Sequence, residues 1–211
     1  KIQHFRDAEA IAQKFTYLAK EFDIKVIIDI NETRQSAGRG IGPVLEARDV
    51  MQILEQHKNR PLPLENKALR LAGKLLSLCF ADTPGKKQSD GEEVAREMLT
   101  SGAALTKMRE IIKAQGGDAR VTSDDLTPGK YKHDIRAPRS GNVNSIHNRN
   151  ITVICRILGC PTDKKAGMYL NAKLDERVDK GDILCTLYST DAHRLREAIE
   201  TIKNMPMYSI E

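Results

Sequence analysis

The stretch GRGIGPVLEARD, residues 38–49, sets glycine at positions 38, 40 and 42, then proline, then a helical pattern that opens acidic. A glycine-rich turn running into a helix is one way to cradle phosphate on unpaired backbone N–H groups. The dinucleotide fingerprint, however, spaces its glycines G-x-G-x-x-G between a strand and its helix, with an acidic residue at the end of the next strand. Here the third glycine comes too early, and helical patterns follow in place of a second strand. A P-loop would need Gly-Lys followed by Ser or Thr, which is absent. The stretch is therefore expected to be a tight Gly/Pro turn that lets a helix of about 43–55 pack closely. Pro43 suits the first position of that helix, where its missing N–H costs nothing.

Upstream, DAEAIAQKFTYLAKEF (7–22) places Ala8, Ile11, Phe15, Leu18 and Phe22 at three- and four-residue spacing. That is an amphipathic helix, with Asp7 as its expected N-cap. IKVIIDI (24–30) is short, apolar and β-branched, as in a strand buried on both faces of a parallel sheet. Ligands of such sheets gather where the glycine turn leaves the strand's C-terminal end. Coordinates placing 24–30 outside any sheet would count against reading this segment and the later β block as parts of one scaffold whose reactive groups are encoded ahead of Lys1.

Downstream, the periodicity predicts helices over about 64–80, in GEEVAREMLTSG and in AALTKMREIIKAQGG, with Gly116–Gly117 closing the last. TPGKKQSDG (83–91) is a polar break. From residue 118 the pattern changes. DIRAPRSGNVNSI (134–146) and AGMYLNAKLDERVDKGDILCTLYS (166–189) are turn-punctuated β patterns. NRNITVICRILG between them is expected to be helical. TDAHRLREAIETIK is a final amphipathic helix capped by Thr190, and MYSIE returns as a strand. The expected fold class is α/β followed by α+β. Residues 1–117 would end an α/β domain with a helical cluster, and 118–211 would form a smaller, β-rich, barrel-like domain with helices.

Bulk properties narrow the function. The net charge is +5 over 211 residues, with 30% charged side chains of both signs interleaved, so no basic stripe for a nucleic-acid polymer stands out. No apolar run has the length to cross a bilayer, and no signal-peptide pattern stands out. Cys79, Cys155, Cys160 and Cys185 match no zinc spacing and lie among apolar neighbours. They are expected to be reduced and buried, as in a cytoplasmic protein. His133, His147 and His193 are far apart, with no partner one helical turn away, so no metal is assigned to them. The clusters at 85–87 and 163–165 read as solvated turns, and Asp124–Asp125 as turn chemistry. Arg136, Arg139 and Arg149 would form a phosphate patch only if folding gathered them. The chain opens at Lys1 without a methionine, which is compatible with a piece of a longer protein.

Two separated blocks carry a family resemblance. IKVIIDINETRQSAGRGIGPVLEARDVMQIL resembles the segment of thymidine and pyrimidine nucleoside phosphorylases that reads, in outline, strand then TDMNQPLG-AVGNALEVKEA. Its GIGPVLEARD version is nearer the archaeal AMP phosphorylase branch, with proline where bacterial enzymes carry asparagine. DKKAGMYLNAKLDERVDKGDILCTLYS is similar to the family pattern D-x-x-AG-x-x-L-x-x-K-x-G-x-x-V-x-KGD-x-L-x-T-x-Y. The resemblance implies a pentosyltransferase that splits a nucleoside or nucleotide with inorganic phosphate, giving free base and sugar 1-phosphate in nucleotide salvage. For AMP the products would be adenine and ribose 1,5-bisphosphate. It implies no organic cofactor, a small-molecule substrate, no membrane partner, and a homodimer or higher homo-oligomer.

The family's K-x-STGG-x-GD phosphate loop and its Arg, Ser and Lys base-binding set have no counterpart in these residues. In the family they lie ahead of the position of Lys1. Catalytic and phosphate-binding residues are accordingly expected to be none here, and the isolated chain is expected to fold without turning over. Some bacterial relatives hold potassium through two carbonyls of the glycine turn and an acid on the next helix. Carried over, those positions are Ala37, Gly40 and Asp49, and such hard cations take oxygen ligands. The acid is Asp where those relatives have Glu, and a solvated helix residue is the plainer reading of Asp49.

Two rival readings remain. APRSGNV and VDKGDIL look like pieces of biotinyl and lipoyl carrier domains, with Lys164 as the attachment point. That role needs the lysine alone at the tip of a tight hairpin between symmetric halves. The other rival is a structural or oligomerisation module pairing through the strand near Tyr208.

Overall fold

The computed structural model of the chain describes residues 2, 4–81, 83, 85 and 91–211. Most of the polar break at 83–91, including the lysines of the 85–87 cluster, lies outside the described residues. The chain forms two compact units, one of Lys1–Thr33 with Ala68–Met98 and the other of Arg34–Lys67 with Leu99–Glu211.

In the first unit, helix α1 spans Phe5–Glu21, with His4 rather than Asp7 at its N-cap. Asp7 lies in the first turn, where its charge still suits the helix dipole. No α1 residue is buried, so its apolar stripe, Phe15 and Leu18 included, is exposed. The expected parallel strand at 24–30 is not formed. The segment lies outside any sheet, with Ile24 60% exposed and Ile30 40%. A strand buried on both faces needs a neighbour on each edge, and every strand pair among the described residues is antiparallel and lies elsewhere. The segment is instead anchored by its one acid. Asp29 accepts from Arg70 at 2.6 Å and Lys74 at 2.8 Å, both on helix α3, Leu62–Phe80. Those hydrogen bonds, Lys74's the stronger, hold the Asp29 carboxyl down at about 2. Against α3, helix α4 (Gly91–Thr100) crosses closely: a Cβ on Gly91 would meet the Gly73 carbonyl oxygen at 2.2 Å.

The second unit carries both sheets. Strands β1 (Gly40–Ile41), β4 (Gly167–Leu170), β6 (Ile183–Ser189) and β2 (Tyr131–Arg136) form one sheet in the order β1-β4-β6-β2. Strands β5 (Arg177–Val178), β3 (Gly141–Ile146) and β7 (Tyr208–Ile210) form the other in the order β5-β3-β7. The architecture is mixed helix and antiparallel sheet. The barrel expected for this region does not close, because the strands divide between two sheets of different membership.

Helix α6 (Asn148–Leu158) forms where NRNITVICRILG predicts it, and places Ile151, Ile154, Cys155 and Leu158 in the core. Helix α7 (Ala192–Ile202) is capped by Asp191, not Thr190: its carboxylate accepts from the N–H groups of His193 and Arg194. A carboxylate beside the helix N-terminus gains both those bonds and the dipole. The core joins α6 and α7 to the sheets through Val143, Met168, Leu170, Cys185 and Leu187, each 0% exposed. Burying one such side chain contributes on the order of 2 kcal/mol. Helices α2 (Pro43–Leu54), with Pro43 at its start, and α5 (Ala103–Ala114) complete the unit. Between α5 and β2, a 3-10 turn at Ser123–Asp125 is closed by a capping box of Thr122 and Asp125.

Candidate functional site

The glycine turn and the C-terminal β block are one structural piece. Strand β1 pairs antiparallel with β4, setting Gly40 opposite Tyr169 and Ile41 opposite Met168. Each glycine of the turn answers a steric demand. A Cβ on Gly38 would sit 2.5 Å from Asp49 Oδ2, and one on Gly40 would sit 2.3 Å from the Leu45 oxygen. Gly42 has φ +110°, and a Cβ there would meet the Ala166 oxygen at 2.4 Å. Only glycine combines that dihedral with that approach.

The turn's N–H groups are already taken. Asp49 Oδ2 accepts from Arg39 N and Gly40 N, both at 2.7 Å. Glu46 Oε1 accepts from Gly42 N at 2.9 Å, and the Lys164 carbonyl accepts from Val44 N at 3.0 Å. A phosphate cradle needs such donors free, so the turn is built for packing. Asp49 itself is 1% exposed, which corrects its reading as a solvated helix residue.

Charged side chains then bind the turn to the connection after β4. Lys173, 7% exposed, donates through Nζ to the carbonyls of Ser36 at 2.5 Å and Gly38 at 2.9 Å. Arg39 donates to the carbonyls of Leu170 at 3.1 Å and Asn171 at 2.6 Å, and pairs with Glu176 at 3.3 Å. Gln35 Oε1 accepts from Leu174 N at 2.9 Å, and the Arg48 guanidinium lies 5.1 Å from the Tyr169 ring centre. Burial, then the Arg39 charge, pushes the Lys173 ammonium down to about 8, against the pull of Asp49 and Glu176. Arg39 does not stand out by motif, whereas Lys173 occupies the lysine of the pattern AG-x-x-L-x-x-K. The available signal is a lysine inside the apolar stretch LNAKL, where burial forces it to find oxygen partners.

The remaining candidates fall as follows. Ala37, Gly40 and Asp49 share this turn. Asp49 Oδ1 is buried and has no hydrogen-bond partner among the described residues, a feature that suits a monovalent cation at that oxygen. His147 caps α6 by position, and its Nε2 lies 3.2 Å from Ser209 Oγ; no cluster of three or more His, Cys, Asp or Glu side chains suits a metal among the described residues. Arg136 serves the Gly181 carbonyl and Arg139 the Ile210 carbonyl, so each has its own backbone partner. Lys164 lies in the turn between α6 and β4, bonded to the Pro161 carbonyl, rather than at a hairpin tip. That placement removes the carrier reading. Cys79 is exposed and Cys160 half-buried, which corrects the expectation that all the cysteines are buried.

Residues 142–209 match the pyrimidine nucleoside phosphorylase C-terminal domain. The chain is thus similar to proteins of the thymidine and pyrimidine nucleoside phosphorylase family. Along its whole length it is 39% identical to the AMP phosphorylase of Methanocaldococcus jannaschii, 37% to that of Methanococcus vannielii and 36% to that of Pyrococcus furiosus. In each case the chain spans 41% of the relative's length. No described helix is long and apolar enough to cross a membrane.

Proposed function

We propose that these residues are the C-terminal portion of a cytoplasmic AMP phosphorylase, a pentosyltransferase that takes AMP and inorganic phosphate to adenine and ribose 1,5-bisphosphate. The observation that carries this reading is identity of 36–39% over the entire chain to AMP phosphorylases that are more than twice as long. In this reading 1–117 ends the α/β domain with its helical cluster, and 118–211 is the C-terminal domain, inside which the family match lies. Phosphorolysis needs cationic and N–H donors around phosphate as charge develops at the sugar. The turn that most resembles such a cradle has spent its donors on Asp49, Glu46 and Lys164. The role of this portion is to hold the corner between glycine turn and β block in shape while residues of the longer protein perform the chemistry as a homo-oligomer.

The test is a pair of assays. The purified 211-residue chain, given AMP and phosphate, is expected to release no adenine, and turnover would overturn its supporting role. Joined behind the remaining part of the Methanocaldococcus jannaschii relative, it is expected to give AMP-dependent adenine release. A chimera that folds and phosphorolyses thymidine or uridine in preference to AMP would assign the pyrimidine branch.

The same reading includes a monovalent cation held by Asp49 Oδ1 with the carbonyls of Ala37 and Gly40, supported by the unpartnered buried oxygen. Exchanging potassium chloride for choline chloride at equal ionic strength is expected to lower the melting temperature. Equal midpoints in the two salts would remove the ion.

A further inference from the structure

Helix α6 ends in a Schellman motif whose two contacting positions are both cysteine. Gly159 has φ +125°, its N–H donates to the Arg156 carbonyl at 3.1 Å, and the Cys160 N–H donates to the Cys155 carbonyl at 2.9 Å. This 6→1 and 5→2 pattern brings the side chain in the last helical turn against the one just after the glycine. In most proteins that contact is apolar; in CRILGC it is thiol on thiol. The Cys160 thiol donates to the Ala166 carbonyl oxygen, with its Sγ 3.0 Å away. Both cysteines line a pocket of about 240 Å³ together with Thr152, Arg156, Glu46 and Pro161.

The two sulfurs are differently placed for chemistry. Cys160 is half-buried on the pocket, and the neighbouring Cys155 holds its thiol below the usual range. Cys155 is 4% exposed, and the neighbouring Cys160 together with burial pushes its thiol up. A half-exposed, more acidic thiol beside a sheltered one is the arrangement of an attacking and a resolving cysteine. The other two cysteines lack it. Cys185 is 0% exposed and pushed up to about 12 by burial, and Cys79 lies in the other unit.

We propose that Cys155 and Cys160 form a thiol–disulfide exchange site, oxidised by a low-molecular-weight disulfide of the glutathione type to an intramolecular bridge. The Cys160 thiolate attacks one sulfur of the external disulfide, whose S–S bond breaks and whose leaving thiolate takes up a proton. Cys155 then gives up its proton to solvent, and its sulfur attacks Cys160 in the mixed disulfide. The Cys155–Cys160 bond forms as the Cys160–glutathione bond breaks, and a second thiolate leaves and is protonated. The protein has lost two protons and two electrons, and the external disulfide has gained them. The bridge also withdraws the S–H from the Ala166 carbonyl, the atom packed against Gly42 at the start of α2. Oxidation is therefore felt at the glycine turn.

The experiment incubates the full chain with glutathione disulfide, quenches in acid, alkylates, and maps tryptic peptides by mass. Cleavage after Arg149, Arg156 and Lys164 puts the two cysteines on separate peptides, 150–156 and 157–164. The expected result is a cross-linked pair of those peptides that separates on reduction, with the loss of two alkylatable thiols. Cys155→Ala should instead stop at a glutathione adduct on Cys160, and Cys160→Ala should give neither product at these positions. If either variant fails to fold, the wild-type cross-link alone decides. Two freely alkylatable thiols, a lasting glutathione adduct on wild-type Cys160, or a bridge to Cys79 or Cys185 would each overturn the proposal.

Discussion

Residues 24–30 and strand β6 have nearly the same local character and opposite fates. IKVIIDI and ILCTLYS are both short, apolar and rich in β-favouring residues. The second lies between β4 and β2, with Leu184, Cys185 and Leu187 buried. The first leaves Ile24, Val26, Ile27, Ile28 and Ile30 exposed and is held by the Asp29 carboxylate. The difference lies in the neighbours. A hydrophobic stretch becomes a strand when another edge is there to satisfy its backbone, and β6 has two such edges within this chain.

That contrast can be broken most forcefully at its buried end. Leu187→Ala in β6 is expected to cost about 3 kcal/mol in urea denaturation, because this fully buried side chain would leave a cavity in the core. A cost below about 1 kcal/mol would mean that the core is looser than its packing indicates. Next, Asp49→Ala would leave the Arg39 and Gly40 N–H groups unpaired in a buried turn, at a cost of about 2 kcal/mol by the same measurement. A neutral result would show that the turn holds without its acid.

A smaller effect sits at Lys173. Below about pH 8 both folded and unfolded chains keep its proton, so it adds no slope to stability. Between about 8 and the ordinary lysine value of 10.5 the folded chain has released a proton that the unfolded chain still binds. Its contribution to stability therefore rises with pH across that window. Wild type should show a more positive slope there than Lys173→Met, and equal slopes would contradict a buried ammonium. The least effect belongs to the exposed segment. Ile27→Thr, at a side chain 44% exposed, should change stability by less than about 0.5 kcal/mol. A loss rivalling that of Leu187→Ala would show that 24–30 is packed as a strand after all.

Much of the second unit was legible in the sequence because its signals are local. Pro43 starts α2, the NRNITVICRILG periodicity gives α6, and MYSIE returns as β7. The tightness of the turn at 38–42 followed from glycine spacing, and the family resemblance from two blocks read separately. What stayed illegible was non-local. Nothing near Lys173 in sequence announces that its oxygen partners are Ser36 and Gly38, more than a hundred residues away. Likewise 24–30 carries every local mark of a buried strand, and the expected sheet depended on partners that local composition cannot report. The criterion set for a shared scaffold is therefore not met at 24–30, and the family likeness rests on the sequence matches alone. Thr190 and Asp191 both suit a cap, and the choice fell to the residue whose carboxylate reaches two N–H groups.

One consequence follows from the way Lys173, Arg39 and Gln35 are fastened. Each crosses from one chain segment to the other at a different point, so the arrangement resists twisting as a triangulated truss does. A displacement at residue 38 therefore pulls directly on the bonds to residues 170–176. Any larger machine containing this corner must swing it whole, with bending confined to the chain on either side.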